Sequence, residues 1–141
     1  MRSTPESMAR PTNALIVDDE AHVRAFMRLL LRELGIENCW EAGDGVSALH
    51  LAQQHRPELV VLDINLPGLG GLQVLAQLMQ LDPDLPVVMA TAQSSMNTVS
   101  EAVRLGASGY LLKHCPKDDT LNALRDVLES LDDKPEANRK N

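Results

Sequence analysis

The chain has 141 residues and carries 13 Lys and Arg against 20 Asp and Glu, a formal net charge of −7. That acidic balance argues against direct nucleic-acid binding, which needs cations to displace backbone counterions, and no apolar run nears the about 20 residues of a membrane span. Apolar residues make up 44% and aromatics 2%, so one domain is expected, with a core of Leu, Val, Ala and Met.

Residues 1–12 are polar, include Pro5 and Pro11, and lack the apolar stretch of a signal peptide; they read as a disordered lead-in. Ala14-Leu15-Ile16-Val17 is a buried strand that runs into Asp18-Asp19-Glu20. The period then changes: Val23, Phe26, Met27, Leu30, Leu31 and Leu34 predict an amphipathic helix, with Gly35 placed to end it. Glu37 to Ala42 is a weaker strand containing Cys39 and Trp40, and Gly43-Asp44-Gly45 turns the chain into a helix marked by Val46, Leu49 and Ala52.

Leu59-Val60-Val61-Leu62 is a continuous apolar run ending at Asp63, and Asn65, Pro67, Gly68, Gly70 and Gly71 break the chain after it. Such a run is expected where a strand is buried on both faces of a parallel sheet. Leu72, Leu75, Leu78 and Met79 mark a third helix. Val87 to Thr91 is a fourth strand, followed by a helix at Val99, Ala102 and Val103 whose opening turn, Gln93 to Asn97, is polar and of low helix propensity. Tyr110-Leu111-Leu112 is a short fifth strand ending at Lys113, and Leu121, Leu124, Val127, Leu128 and Leu131 mark a fifth helix. A folded unit over 13–131 with a polar tail at 132–141 is therefore expected. Strand and helix alternate throughout, which predicts an α/β fold: a parallel sheet covered by helices on both faces. Cys39 and Cys115 lack metal-ligand or redox spacing and read as reduced thiols of a cytoplasmic protein.

Parallel strands share one direction, so the residues at their carboxyl ends share one edge, where open α/β sheets bind ligands. Those residues are Asp18, Asp19, Asp63, Thr91 and Lys113. Clustered carboxylates repel and are costly to bury without a positive partner. Mg²⁺ suits hard oxygen ligands and keeps waters that a phosphate can replace. This assigns Asp63 as a nucleophile that forms an acyl phosphate. It assigns Asp18 and Asp19 as metal ligands joined by Asp63 and the Asn65 backbone carbonyl, Lys113 as a cation for Asp63 and its phosphate, and Thr91 as a hydroxyl donor. Taken one at a time, Asp18, Asp19 or Asp63 would pass for helix or turn caps. His22, His50, His55 and His114 are expected at the surface. The glycines form no nucleotide-binding loop.

Leu15-Ile16-Val17-Asp18-Asp19-Glu20, Leu62-Asp63-Ile64-Asn65-Leu66-Pro67-Gly68, Ala90-Thr91-Ala92 and Gly106 to Lys113 together resemble a response-regulator receiver domain of the single-domain chemotaxis type, over roughly Asn13 to Leu131. The resemblance implies a three-layer, flavodoxin-like fold with five helices and sheet order 2-1-3-4-5. It implies Mg²⁺-dependent phosphoryl transfer to Asp63 from a sensor histidine kinase or histidine phosphotransfer protein. It implies a switch in which Thr91 moves to the phosphate and Tyr110 turns inward, and a downstream effector protein or a missing output domain as partner. It implies no enzyme activity beyond phosphoryl acceptance and autodephosphorylation, with Asn65 and Gln93 flanking the phosphate. Family members usually carry Pro after the lysine, often in a cis peptide. Here His114 follows Lys113 and Pro comes only at Pro116, so a trans Lys113–His114 bond is expected. The alternative from the enzyme class is a phosphohydrolase of the haloacid-dehalogenase type, since Asp63-Ile64-Asn65 partly matches a D-x-D nucleophile pattern. It lacks the second acid and a cap domain.

Overall fold

The computed structural model describes residues 11–92 and 96–132. Gln93 and the tails at 1–10 and 133–141 lie outside the described residues. Strands β1 (Asn13–Val17), β2 (Asn38–Ala42), β3 (Val60–Asp63), β4 (Val87–Thr91) and β5 (Gly109–Leu112) alternate with helices α1 (Ala21–Glu33), α2 (Gly45–His55), α3 (Gly71–Leu81), α4 (Met96–Arg104) and α5 (Lys117–Asp132). The sheet is parallel throughout, in the order β2-β1-β3-β4-β5, as the resemblance implied.

Alternation along the central strands divides the core into two layers. Leu15, Val17, Val60, Leu62, Val87 and Met89 pack with Ala48, Ala52, Val74, Leu75, Leu78 and Ala102 of α2, α3 and α4. Ile16, Val61, Val88 and Leu111 pack on the other face with Val23, Met27, Leu30, Leu31, Leu124 and Leu128 of α1 and α5. Each fully buried Leu or Val contributes about 1.5–3 kcal/mol relative to leaving it exposed, and this double coverage is why β3 and β4 are apolar at every core position.

Element boundaries follow local chemistry. Gly35, at φ 94°, ends α1 as expected, and the Ile36 N–H reaches back to the Leu31 carbonyl at 2.9 Å, a Schellman-type closure. Asp44 caps α2, accepting the Ser47 N–H at 2.8 Å. Pro11 is buried, and the Thr12 N–H donates to Glu58 Oε1 at 2.8 Å, so residues 11 and 12, expected in the lead-in, are tied to the folded unit. His22, His50 and His114 are exposed as expected. His55 is half-buried and stacks on Trp40, with ring centroids 4.5 Å apart and planes 11° from parallel.

Candidate functional site

The carboxyl edge of the sheet gathers the expected residues through strand register. Val17 pairs with Leu62 and Asp63 with Ala90, while Thr91 pairs with Leu112. Asp18 therefore leaves β1 beside Asp63, and Lys113 leaves β5 beside Thr91, whose carbonyl accepts the Lys113 N–H at 2.7 Å. Asp18 and Asp63 are each 2% exposed, Thr91 3% and Lys113 8%.

The Lys113 ammonium stands between carboxylates that lie far apart in sequence. Nζ is 2.9 Å from Asp18 Oδ2, 3.2 Å from Asp63 Oδ2 and 3.3 Å from Glu20 Oε1. Burial opposes its charge, but the Asp18 hydrogen bond and the charges of Asp63 and Asp18 outweigh that, and the Lys113 pKa is pushed up. Burial raises the Asp63 pKa; the Asn65 N–H bond opposes it, the Asp18 charge adds to it, and Lys113 opposes it. The sequence carries no signal for the contact between Glu20 and Lys113, since Glu20 there is only part of an acidic motif.

The simpler readings of the aspartates are resolved by individual oxygens. Neither Asp18 nor Asp19 caps α1; Glu20 holds the N-cap position, without a side-chain cap bond. Asp18 Oδ1 accepts the Glu20 N–H at 2.9 Å, and Asp63 Oδ1 accepts the Asn65 N–H at 3.1 Å. Each buried aspartate thus uses one oxygen to hold its loop and turns the other toward Lys113.

Asp18, Asp19 and Asp63 each offer a carboxylate oxygen, all within 4.8 Å of one another. Three hard anionic donors at that separation, one of them exposed on Asp19, fit a small divalent cation that retains water. Tyr110 is not drawn into this cluster: it pairs with Met89 on β5 and is 46% exposed. No cis peptide occurs among the described residues, so the Lys113–His114 bond is trans as expected. His114 takes φ 65°, a left-handed value closed to proline, whose ring holds φ near −65°. The loop after Lys113 therefore follows a path that the usual Lys-Pro sequence could not. A cavity of about 520 Å³ opens beside this loop, with Phe26, Met27 and Leu112 among its walls. Phe26 and Met27 lie on the apolar stripe of α1, so the sequence carries no signal for it.

The family model described as the response regulator receiver domain matches residues 14–125. The chain belongs to this family. Protein CcdB of Bacillus subtilis (strain 168) is 34% identical over 117 residues, which cover 83% of this chain and 98% of that protein. Transcriptional regulatory protein PdtaR of Mycobacterium tuberculosis (strain ATCC 25618 / H37Rv) is 35% identical over 122 residues, 86% of this chain, and the match spans 59% of the length of that protein. Among solved structures, chemotaxis protein CheY4 of Vibrio cholerae superposes with a TM-score of 0.75 at 28% identity, covering 84% of this chain and 99% of that one. The chain is thus a phosphoacceptor receiver domain of the two-component type, a family whose members are generally non-enzymatic signal transducers, and the phosphohydrolase alternative is not supported. Receiver domains bind Mg²⁺ in an acidic pocket, and the aspartate cluster fits that role. Among the described residues no helix is long and apolar enough to cross a membrane.

Proposed function

We propose that Asp63 is the residue that takes the phosphoryl group, donated by a sensor histidine kinase or histidine phosphotransfer protein. The observation that carries this reading is the ammonium of Lys113 lying 3.2 Å from Asp63 Oδ2 and 2.9 Å from Asp18 Oδ2. Asp18, Asp19, Asp63 and the Asn65 backbone carbonyl would hold Mg²⁺, which when bound shields the carboxylates from an incoming phosphoryl group. The chain's own residues do the rest. Asp63 Oδ2 attacks phosphorus as the donor's histidine nitrogen leaves. Lys113 pairs with the carboxylate before transfer and with a phosphoryl oxygen after it. The Thr91 hydroxyl donates to a second phosphoryl oxygen, and Tyr110, outside the cluster and 46% exposed, moves inward once Thr91 has shifted.

That movement changes the partner-binding surface read by an effector protein or output domain. Such a switch works only through contacts that differ between its two states. Water, with Asn65 flanking, then removes the phosphoryl group in a slow autodephosphorylation. The expected unit 13–131 widens to take in Pro11 and Thr12 at one end and Asp132, the last residue of α5, at the other, and its place is the cytoplasm.

The reading is tested by intact mass after treatment with acetyl phosphate and Mg²⁺. Wild type gains a single phosphate and Asp63→Ala gains none. A phosphate that survives the substitution would overturn the assignment.

A further inference from the structure

Every polar atom of Asp18 has a partner. Its N–H donates to the Ala42 carbonyl at 3.1 Å, Oδ1 accepts the Glu20 N–H, and Oδ2 faces Lys113. Its backbone carbonyl accepts Nη1 of Arg24 at 2.7 Å. Arg24 is itself anchored, because its Nε donates to Glu41 Oε1 at 2.9 Å. Glu41 is held from its other oxygen by Arg28, whose Nε donates to Oε2 at 2.8 Å and whose Nη2 donates to the Cys39 carbonyl at 3.0 Å. Glu41 is fixed in place by strand register, opposite Ile16 on β1. Arg24 is 21% exposed and Glu41 30% at the side chain, so the pair is partly shielded from water.

The carbonyl that Arg24 holds belongs to the peptide unit joining Asp18 to Asp19. A peptide unit is planar, so fixing that oxygen fixes the plane from which Asp19 departs, along with the backbone that aims Asp18. The two residues carry two of the three carboxylates in the acidic cluster. Groups that orient metal ligands are worth about 10–100-fold in affinity.

We propose that Arg24, locked by Glu41, is a positioning residue that aims Asp18 and Asp19 at the cation and so sets Mg²⁺ affinity. The proposal rests on the reading of the acidic cluster as a Mg²⁺ site. Arg24 touches neither the cation nor the phosphoryl group. Arg28 is the internal control: it grips the same glutamate and makes no bond to Asp18.

The test is calorimetric titration of the intact chain with MgCl₂, alongside thermal melts. Arg24→Met keeps an apolar stem but cannot donate; it is expected to raise the Mg²⁺ Kd about tenfold. Arg28→Met should change Kd less than about twofold, though it lowers the melting temperature comparably. Arg24→Lys, which keeps one donor, should recover part of the loss, and Glu41→Gln, which loosens Arg24 without removing it, should fall between wild type and Arg24→Met. Equal Kd values for Arg24→Met and wild type, or equal losses for the two arginine variants, would reduce Arg24 to a structural brace and overturn the proposal. If Arg24→Met does not fold, Glu41→Gln decides: a severalfold weaker Kd supports the proposal and an unchanged Kd overturns it. Wild type that binds no Mg²⁺ would instead overturn the metal-site reading itself.

The same glutamate gives a pH signature. Burial raises the Glu41 pKa, but the hydrogen bonds from Arg24 and Arg28 outweigh it and hold the carboxyl below its ordinary value. A depressed folded pKa stabilises the fold above the unfolded value of about 4.3 and is lost as pH falls through the folded value. Glu41→Gln should therefore melt below wild type at pH 7, and the gap should narrow as pH falls below the unfolded value, as a pH series of calorimetric melts would register.

Discussion

Lys113→Met should lower the melting temperature at pH 7, in the absence of divalent cations, by about 10–15 °C. The substitution keeps most of the side-chain volume and removes the ammonium lying between Asp18 and Asp63, each 2% exposed. Removing one member of a buried ion pair costs about 3–5 kcal/mol, since the remaining charge stays buried without compensation, and each kcal/mol is worth about 3 °C in a domain of this size. The sign with pH follows from Asp63. Burial already holds its pKa up, and loss of the ammonium raises it further. A raised carboxyl pKa penalises folding where the unfolded chain is ionised, so the deficit is full at neutral pH and shrinks as pH falls through the carboxylate range. Millimolar Mg²⁺ should restore part of the lost stability, because a cation held by the three aspartates replaces the missing charge. Melts at pH 7 and pH 4, with and without MgCl₂, measure all of this. A drop below about 3 °C at neutral pH, or one that persists in acid, would show that Lys113 does not neutralise the pair.

That lysine was legible in the sequence because the fold makes strand ends equivalent. Apolar runs stop at Asp18, Asp63, Thr91 and Lys113, and once the strands are read as parallel, those four residues share an edge without any knowledge of side-chain geometry. The Arg24–Glu41 contact had no comparable signal. Arg24 sits at an ordinary polar position of an amphipathic helix, and Glu41 lies in a half-polar edge strand. Only the pairing of Glu41 with Ile16 brings its carboxylate to the acidic loop, and register is a tertiary outcome. The start of α5 was hidden for a different reason. Its first turn, Lys117-Asp118-Asp119, has no apolar period, and the usable cues were Pro116 ahead of it and two acids placed to complement the helix dipole. The exposure of Tyr110 and the left-handed His114 are likewise products of packing and loop path, on which residue type and spacing are silent.

Gly71→Ala should be the most damaging single-methyl change near the site, although Gly71 looks in the sequence like one more flexible turn residue. Its conformation does not require glycine, for its φ is not positive, and it is the first residue of α3. What it requires is space. A Cβ there would lie 2.3 Å from the Asp63 carbonyl oxygen, 2.6 Å from Ile64 Cα and 2.7 Å from the Ile64 carbonyl oxygen. All three are backbone atoms, so no rotamer change can relieve the overlap. Either the start of α3 lifts off the sheet, breaking the Gly71 N–H bond to the Ile64 carbonyl at 3.0 Å, or the end of β3 moves and carries Asp63 with it. Overpacking of a rigid interior usually costs about 1–3 kcal/mol, and overlap with the backbone of Asp63 and Ile64 belongs at or above the upper end. A loss of about 10 °C or more in melting temperature is expected. Whatever folds should accept phosphate from acetyl phosphate more slowly than wild type, since its acceptor is displaced from Lys113 and Asp18. Gly70→Ala is the control: a methyl there meets only the flexible Gln73 side chain, at 3.9 Å, and should leave both the melt and the phosphorylation rate near wild type. A Gly71→Ala protein that melts within about 2 °C of wild type would mean that β3 and α3 do not approach as closely as described, and with it would go the rigid placement of Asp63.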